Sequence, residues 1–149
     1  MTTEAAPIEP VWWDSWRGVL FANAKVLHAV ENALQEHSGM SLAVMDVLGR
    51  LYDAPERRLR MQELQARSLF TPSGMTRLID RVADAGFVTR ESVPGDRRGV
   101  LVVLTAEGAS AYEGALDKHR ADIEREYGSR LTSEQHQAVA VALNQFWHE

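Results

Sequence analysis

A chain of 149 residues with 45% hydrophobic and 25% charged residues carries enough apolar material for one globular domain with its own core. It contains no cysteine, which excludes disulfides, thiolate metal sites, cysteine nucleophiles and thiol redox sensing. The net charge of −5 would weigh against a nucleic-acid partner if it were evenly spread, but residues 57–100 carry nine bases against five acids and the remainder seven against 16. All nine of those bases are arginine, whose planar fork suits phosphates and guanine edges.

The opening "MTTEAAPIEP" has two acids, no base and no apolar run, so no signal peptide is read there. No stretch approaches the roughly 18 apolar residues of a membrane span, and the expected location is cytoplasmic. Trp12, Trp16, Val19, Leu20, Asn23, Val26, Leu27, Val30 and Leu34 recur at steps of three and four, which predicts a helix over 11–37 with one apolar face. "HSGMS" ends it. Ser41 then caps a second helix bearing Leu42, Met45, Leu48 and Leu51, stopped by the proline of "DAPE". A short helix follows, with Met61 and Leu64, and Leu69 as a further candidate, facing in. In "FTPSGMTRLIDRVADAGF", Thr71 is the expected N-cap and Pro72 the first helical residue. Met75, Leu78, Ile79 and Val82 share the inner face of that helix, and Ser73, Thr76, Arg77, Asp80 and Asp84 the outer one. The period changes at Phe87: "FVTRESV" and "GVLVVLT" predict two strands joined by Pro94-Gly95, a favoured type II turn pair. Thr105 opens a long helix carrying Ala109, Tyr112, Leu116 and Ile123, interrupted near Gly128, and "TSEQ" at 132–135 is a capping box for a last helix with Val139, Leu143, Phe146 and Trp147 inward.

Two helices with a tight link, followed at once by a hairpin, make a winged helix-turn-helix. Ser73, Thr76 and Arg77 lie at the end of the reading helix that approaches base edges, with Arg77 able to reach guanine O6 and N7. Arg81, one turn on, suits a phosphate. Arginines on a short projection suit a narrow minor groove, so Arg98 is the expected groove contact and Arg97 a phosphate contact, with Asp96 placed to hold one of them extended. Trp12, Trp13 and Trp16 at one end, and Val139, Leu143, Phe146 and Trp147 at the other, offer more apolar surface than one small subunit can cover. A chain without Gly-x-Ser-x-Gly, P-loop, Gly-x-Gly-x-x-Gly or metal triad is not expected to be an enzyme or to need a cofactor. None of His28, His37, His119, His136 and His148 has a paired metal-ligand spacing, so no metal is expected. A winged helix used for protein contact is the alternative, although such a surface would not need arginines on both helix and wing.

"LFTPSGMTRLIDRVADAGFVTRESVPGDRRGVLVVLTAEG" resembles the core of the multiple antibiotic resistance regulator (MarR) family of bacterial transcription factors. The resemblance rests on Ser-x-x-Thr-Arg-Leu-Ile-Asp-Arg-Val, Ala-Gly-Phe-Val, Asp-Arg-Arg and Leu-Thr-x-x-Gly, and is specific across about residues 59–108. It implies a mainly α fold with a small β wing. Residues 1–149 would form a single domain, with 11–37 and 106–149 as dimerisation helices and 41–105 as the winged helix-turn-helix lobe. It implies a homodimeric, ligand-responsive repressor on a palindromic operator, with Ser73, Thr76 and Arg77 matching the recognition-helix contacts and Asp96 and Arg98 the wing pair. A regulator without a small-molecule ligand is the variant reading. Many members respond to small aromatic or phenolic acids. Trp16, Arg17 and Asp46 are similar to residues of the urate-responsive branch, with Trp16 available to stack on a flat ligand and Arg17 or His28 to meet a carboxylate. One departure is "RMQEL" at 60–64, where members often have Thr or Ser near the start; it leaves the N-cap and any phosphate contact there unassigned.

Overall fold

The computed structural model describes residues 10–69 and 74–146. Among these, the elements run α1 (Val11–Ser38), α2 (Leu42–Asp53), β1 (Arg58–Arg60), α3 (Met61–Arg67), α4 (Met75–Asp84), β2 (Val88–Val93), β3 (Asp96–Leu104), α5 (Ala106–Glu126) and α6 (Ser133–Leu143). Single 3-10 turns lie at Pro55–Arg57, Gly128–Arg130 and Asn144–Phe146. The fold is mainly α with a small β wing, as expected. The chain divides into two compact units, one of residues 31–122 and one formed by the stretches up to Val30 and from Ile123.

The 31–122 unit holds the core. Ser41 caps α2 as expected, its Oγ accepting from Val44 N at 3.2 Å. Val47, Leu48 and Leu51 of α2 are fully buried with Leu34, Leu64, Ile79 and Val102. Each such side chain contributes up to roughly 1.5–3 kcal/mol by leaving water. The inner face of α4 is the one its periodicity predicts, with Met75, Leu78, Ile79 and Val82 all buried. Leu69 differs from expectation and stands 59% exposed. Thr71, Pro72, Ser73, Trp147 and His148 lie outside the described residues.

The sheet has the antiparallel order β1-β3-β2, so a third strand joins the two predicted ones. β1 is only three residues, Arg-Leu-Arg, and Leu59 alone is buried; its pairing with Leu101–Val103 of β3 makes it a strand. Gly95 in the hairpin turn has φ +80°, a value that costs glycine nothing at this position of a type II turn. β3 begins at Asp96, earlier than the predicted Gly99. The register steps from Ser92↔Val100 to Val93↔Asp96, which leaves Arg97, Arg98 and Gly99 as a bulge between two paired positions. At the far end of the sheet, Thr105 starts α5: its Oγ1 donates to Gly86 O at 2.7 Å and accepts from Gly108 N at 3.0 Å.

In the other unit α6 carries the expected capping box, with Gln135 N donating to Thr132 Oγ1 at 3.2 Å and Thr132 N to Gln135 Oε1 at 2.9 Å. His136 lies 2.8 Å from Gly128 O and edge-on to Tyr127, fixing the 3-10 turn against α6. Apart from Val30, none of this unit's described residues is buried within the chain.

Candidate nucleic-acid interface

With its inner face committed to the core, α4 presents Thr76, Arg77, Asp80 and Arg81 to solvent. Asp80 would repel a phosphate, but Arg90 of β2 neutralises it through Nη2 to Oδ1 at 2.6 Å. The same Nη2 donates to Thr76 O at 3.4 Å, so one guanidinium ties the helix to the sheet at two points. Sequence reasoning missed this link. Its signal is a basic residue on the outer side of the first wing strand, set against an acid on the outer side of the helix.

The wing bulge carries Arg97 and Arg98 exposed, and neither is ion-paired among the described residues. Asp96 acts on the main chain here: its Oδ1 accepts from Arg98 N at 3.1 Å, while Oδ2 faces Arg60 Nη1 at 3.4 Å. The expected bond from Asp96 to a wing guanidinium is therefore replaced by a turn-fixing bond and a bridge to β1. Elsewhere on the unit, Arg58 pairs with Glu56 and Glu91, and Arg57 stacks over the Tyr52 ring at 4.5 Å. Arg77, Arg81, Arg97 and Arg98 thus leave a positive surface on helix and wing of one unit.

The expected ligand residues are not gathered in this way. Trp16 is 49% exposed, and Arg17 and His28 are exposed on the same helix. Twelve residues separate Trp16 from His28, or about 18 Å along a helix axis, too far for both to touch one small aromatic acid within a protomer. Asp46 belongs to the other unit and is occupied. Its Oδ1 accepts from Arg50 Nε at 2.9 Å, and its Oδ2 accepts from Ser68 Oγ and Leu69 N, both at 3.3 Å. It tethers the chain that leads from α3 towards α4. A cleft of about 500 Å³ in the unit formed by the two terminal stretches is lined by Val19, Val26, Leu27, Tyr127, Val139 and Leu143, among others, and includes none of the expected ligand residues.

A sequence profile described as MarR family matches residues 38–99, the stretch that contains α2 to the wing bulge. Over that stretch the chain is similar to the MarR family. It is 35% identical over 96 residues to the HTH-type transcriptional repressor YetL of Bacillus subtilis, covering 62% of this chain and 58% of that protein. It is 36% identical over 61 residues to the multiple antibiotic resistance protein MarR of Salmonella typhimurium, covering 41% and 42%. The matched stretches therefore span about half the length of these curated relatives. Two MarR family regulators from Streptomyces coelicolor share the fold over nearly the whole chain. AbsC is 26% identical with a TM-score of 0.85, covering 95% of both chains. Sco3205, solved in complex with DNA, is 27% identical with a TM-score of 0.87, covering 97% of this chain and 91% of that one. YetL is named as a transcriptional repressor, AbsC and Sco3205 as MarR family transcriptional regulators, and the Salmonella protein as a multiple antibiotic resistance protein.

Proposed function

We propose that this chain is a cytoplasmic, sequence-specific DNA-binding repressor of the MarR family. In this reading residues 1–149 act as a single domain and pair as a homodimer on a palindromic operator. The observation that carries it is the presence, on both α4 and the wing bulge of one unit, of exposed arginines with no ion pair among the described residues, backed by a core that fixes both elements. Ser73, Thr76 and Arg77 read the major groove, Arg81 and Arg97 meet phosphates, and Arg98 enters the minor groove flanked by Asp96. The names of YetL as a repressor and of Sco3205 as a DNA complex support the same reading. An aromatic or phenolic acid effector is the matching proposal for regulation, with Trp16 and Arg17, neighbours on α1, as its contacts. Such a ligand acts by preferring a spacing of the two reading helices that mismatches the operator.

The test is a gel shift on the duplex immediately upstream of the chain's own coding sequence, against an unrelated duplex of equal length. Tighter binding to the upstream duplex is expected. Arg77→Ala should lose about 1–3 kcal/mol of discrimination between the two, whereas Arg98→Ala should weaken binding through the flanking minor groove. Equal affinity for both duplexes, unchanged by either substitution, overturns the reading.

A further inference from the structure

We propose that Arg60 is a backbone-phosphate contact of the bound duplex, presented beside the wing by Asp96. The inference rests on the DNA-binding reading above and adds a residue that neither the reading helix nor the wing motif contains. Arg60 is the last residue of β1 and the N-cap of α3, with extended φ −66° and ψ 146°. An N-cap side chain ordinarily accepts a hydrogen bond from the helix, and a guanidinium has no acceptor. The capping work passes to Glu63, whose Oε2 accepts from Arg60 N at 2.8 Å. Register with Leu101 of β3 holds the same main chain from the other side. Arg60 is thus firmly anchored at a position where its side chain does nothing for the helix.

That side chain runs to the base of the wing. Its Nη1 lies 3.4 Å from Asp96 Oδ2, and the two side chains are 49% and 44% exposed. A pair so open to water adds little to stability, so it is poorly explained as a structural brace. Of the five N–H donors of a guanidinium, only those on one nitrogen approach Asp96. Asp96 at the same time holds Arg98 N, at the start of the bulge that carries Arg97 and Arg98. The carboxylate therefore holds the Arg60 guanidinium beside the bulge whose main chain it also fixes at Arg98. A strand-end arginine steered to the side of the wing meets the sugar-phosphate backbone flanking the groove that the wing enters, not the base edges. The phosphate role is therefore positional and independent of sequence.

Fluorescence anisotropy of the full chain tests this on the upstream duplex and on a scrambled duplex of the same length and composition, from about 50 to about 200 mM salt. Arg60→Gln is expected to weaken binding to both duplexes by the same factor and to lower the slope of log affinity against log salt by about two, one contact from each protomer of the dimer. Arg60→Lys should keep the slope, because it keeps the charge, and Arg60→Ala should repeat the Arg60→Gln result through a different side chain. Two results overturn the proposal: an unchanged slope in both neutral variants, or a loss confined to the upstream duplex, which would mean base reading or a wing displaced by a broken brace. If the unsubstituted chain binds neither duplex at low salt, the DNA-binding reading itself fails. Normal binding with an unaltered slope in the variants removes Arg60 alone.

Discussion

Gly99 shows how one missing methyl shapes the wing. A Cβ built there would stand 2.7 Å from Val93 Cγ2, 2.8 Å from Val93 Cβ and 2.7 Å from Asp96 Oδ2. Asp96 can swing aside, but Val93 is 8% exposed at the end of β2 and its Cβ cannot move without the backbone. The bulge that lifts Arg97 and Arg98 out of register is therefore compatible with glycine and with little else. Gly99→Ala is expected to cost about 1–3 kcal/mol in chemical denaturation at fixed protein concentration, the range for overpacking, and to weaken DNA binding because the arginines shift with the bulge. A variant with native stability and native affinity would show that the bulge tolerates the methyl. Residue-level chemistry of this kind was only partly legible. The Asp-Arg-Arg triplet was visible, but what Asp96 bonds depends on Arg60, 36 residues away in sequence, which no local pattern displays. Asp46 makes the same point: its carboxylate meets Ser68 and Leu69 only because the fold brings the start of the α3–α4 link back onto α2.

At the scale of elements, periodicity and caps carried most of the information. The four inward residues of α4, the Ser41 cap and the Thr132–Gln135 capping box are local features, and each is where the sequence puts it. β1 escaped because three residues with one apolar position have no readable period; pairing with β3 decides their state. The Asp80–Arg90 bridge joins two elements that were each predicted correctly, and its side chains are 49% and 36% exposed. Such a pair adds little stability, about 0–1 kcal/mol, so its consequence lies in the charge and attitude of the α4 outer face. Arg90→Gln should leave the melting temperature nearly unchanged while weakening DNA binding, since Asp80 is then an uncompensated negative charge facing phosphates. Adding Asp80→Asn should restore part of the affinity, and a double-mutant cycle on the upstream duplex measures the coupling; strict additivity would remove the bridge from the interface. On α5, burial holds His119 below its ordinary imidazole range, opposed by nearby Asp122 and reinforced by His37. Its Nδ1 is buried with no hydrogen-bond partner among the described residues. Because the folded-state value lies below the ordinary 6.5, the unfolded chain binds the proton more readily. The contribution of neutral His119 is complete above that pH and declines as the pH falls below it. Thermal melts from neutral pH to about pH 5 should therefore fall less steeply for His119→Gln than for the native chain.

The whole molecule is lopsided in how it covers its apolar side chains. The 31–122 unit encloses its own core, whereas the other leaves Trp12 63%, Phe21 61%, Val141 70% and Phe146 82% exposed. Among the described residues, Leu69 is the one large exposed hydrophobic that lies outside that second unit. At about 25 cal/mol per Å² of apolar surface removed from water, covering such side chains with those of a second copy is a strong drive to associate. The proposed mode of DNA binding needs the same event, because two reading helices must face half-sites about 34 Å apart. Oligomerisation and operator affinity should then fail together. Phe21→Glu combined with Val141→Glu places carboxylates on that surface and leaves the sequence of the 31–122 unit unchanged. Sedimentation is expected to show a dimer for the native chain and a monomer for the double variant. The variant should bind a duplex with both half-sites no more tightly than one with a single half-site, while keeping the salt dependence set by its arginines. A double variant that stays dimeric would place the subunit contact elsewhere, and a monomer with undiminished two-site affinity would break the link between dimerisation and operator recognition.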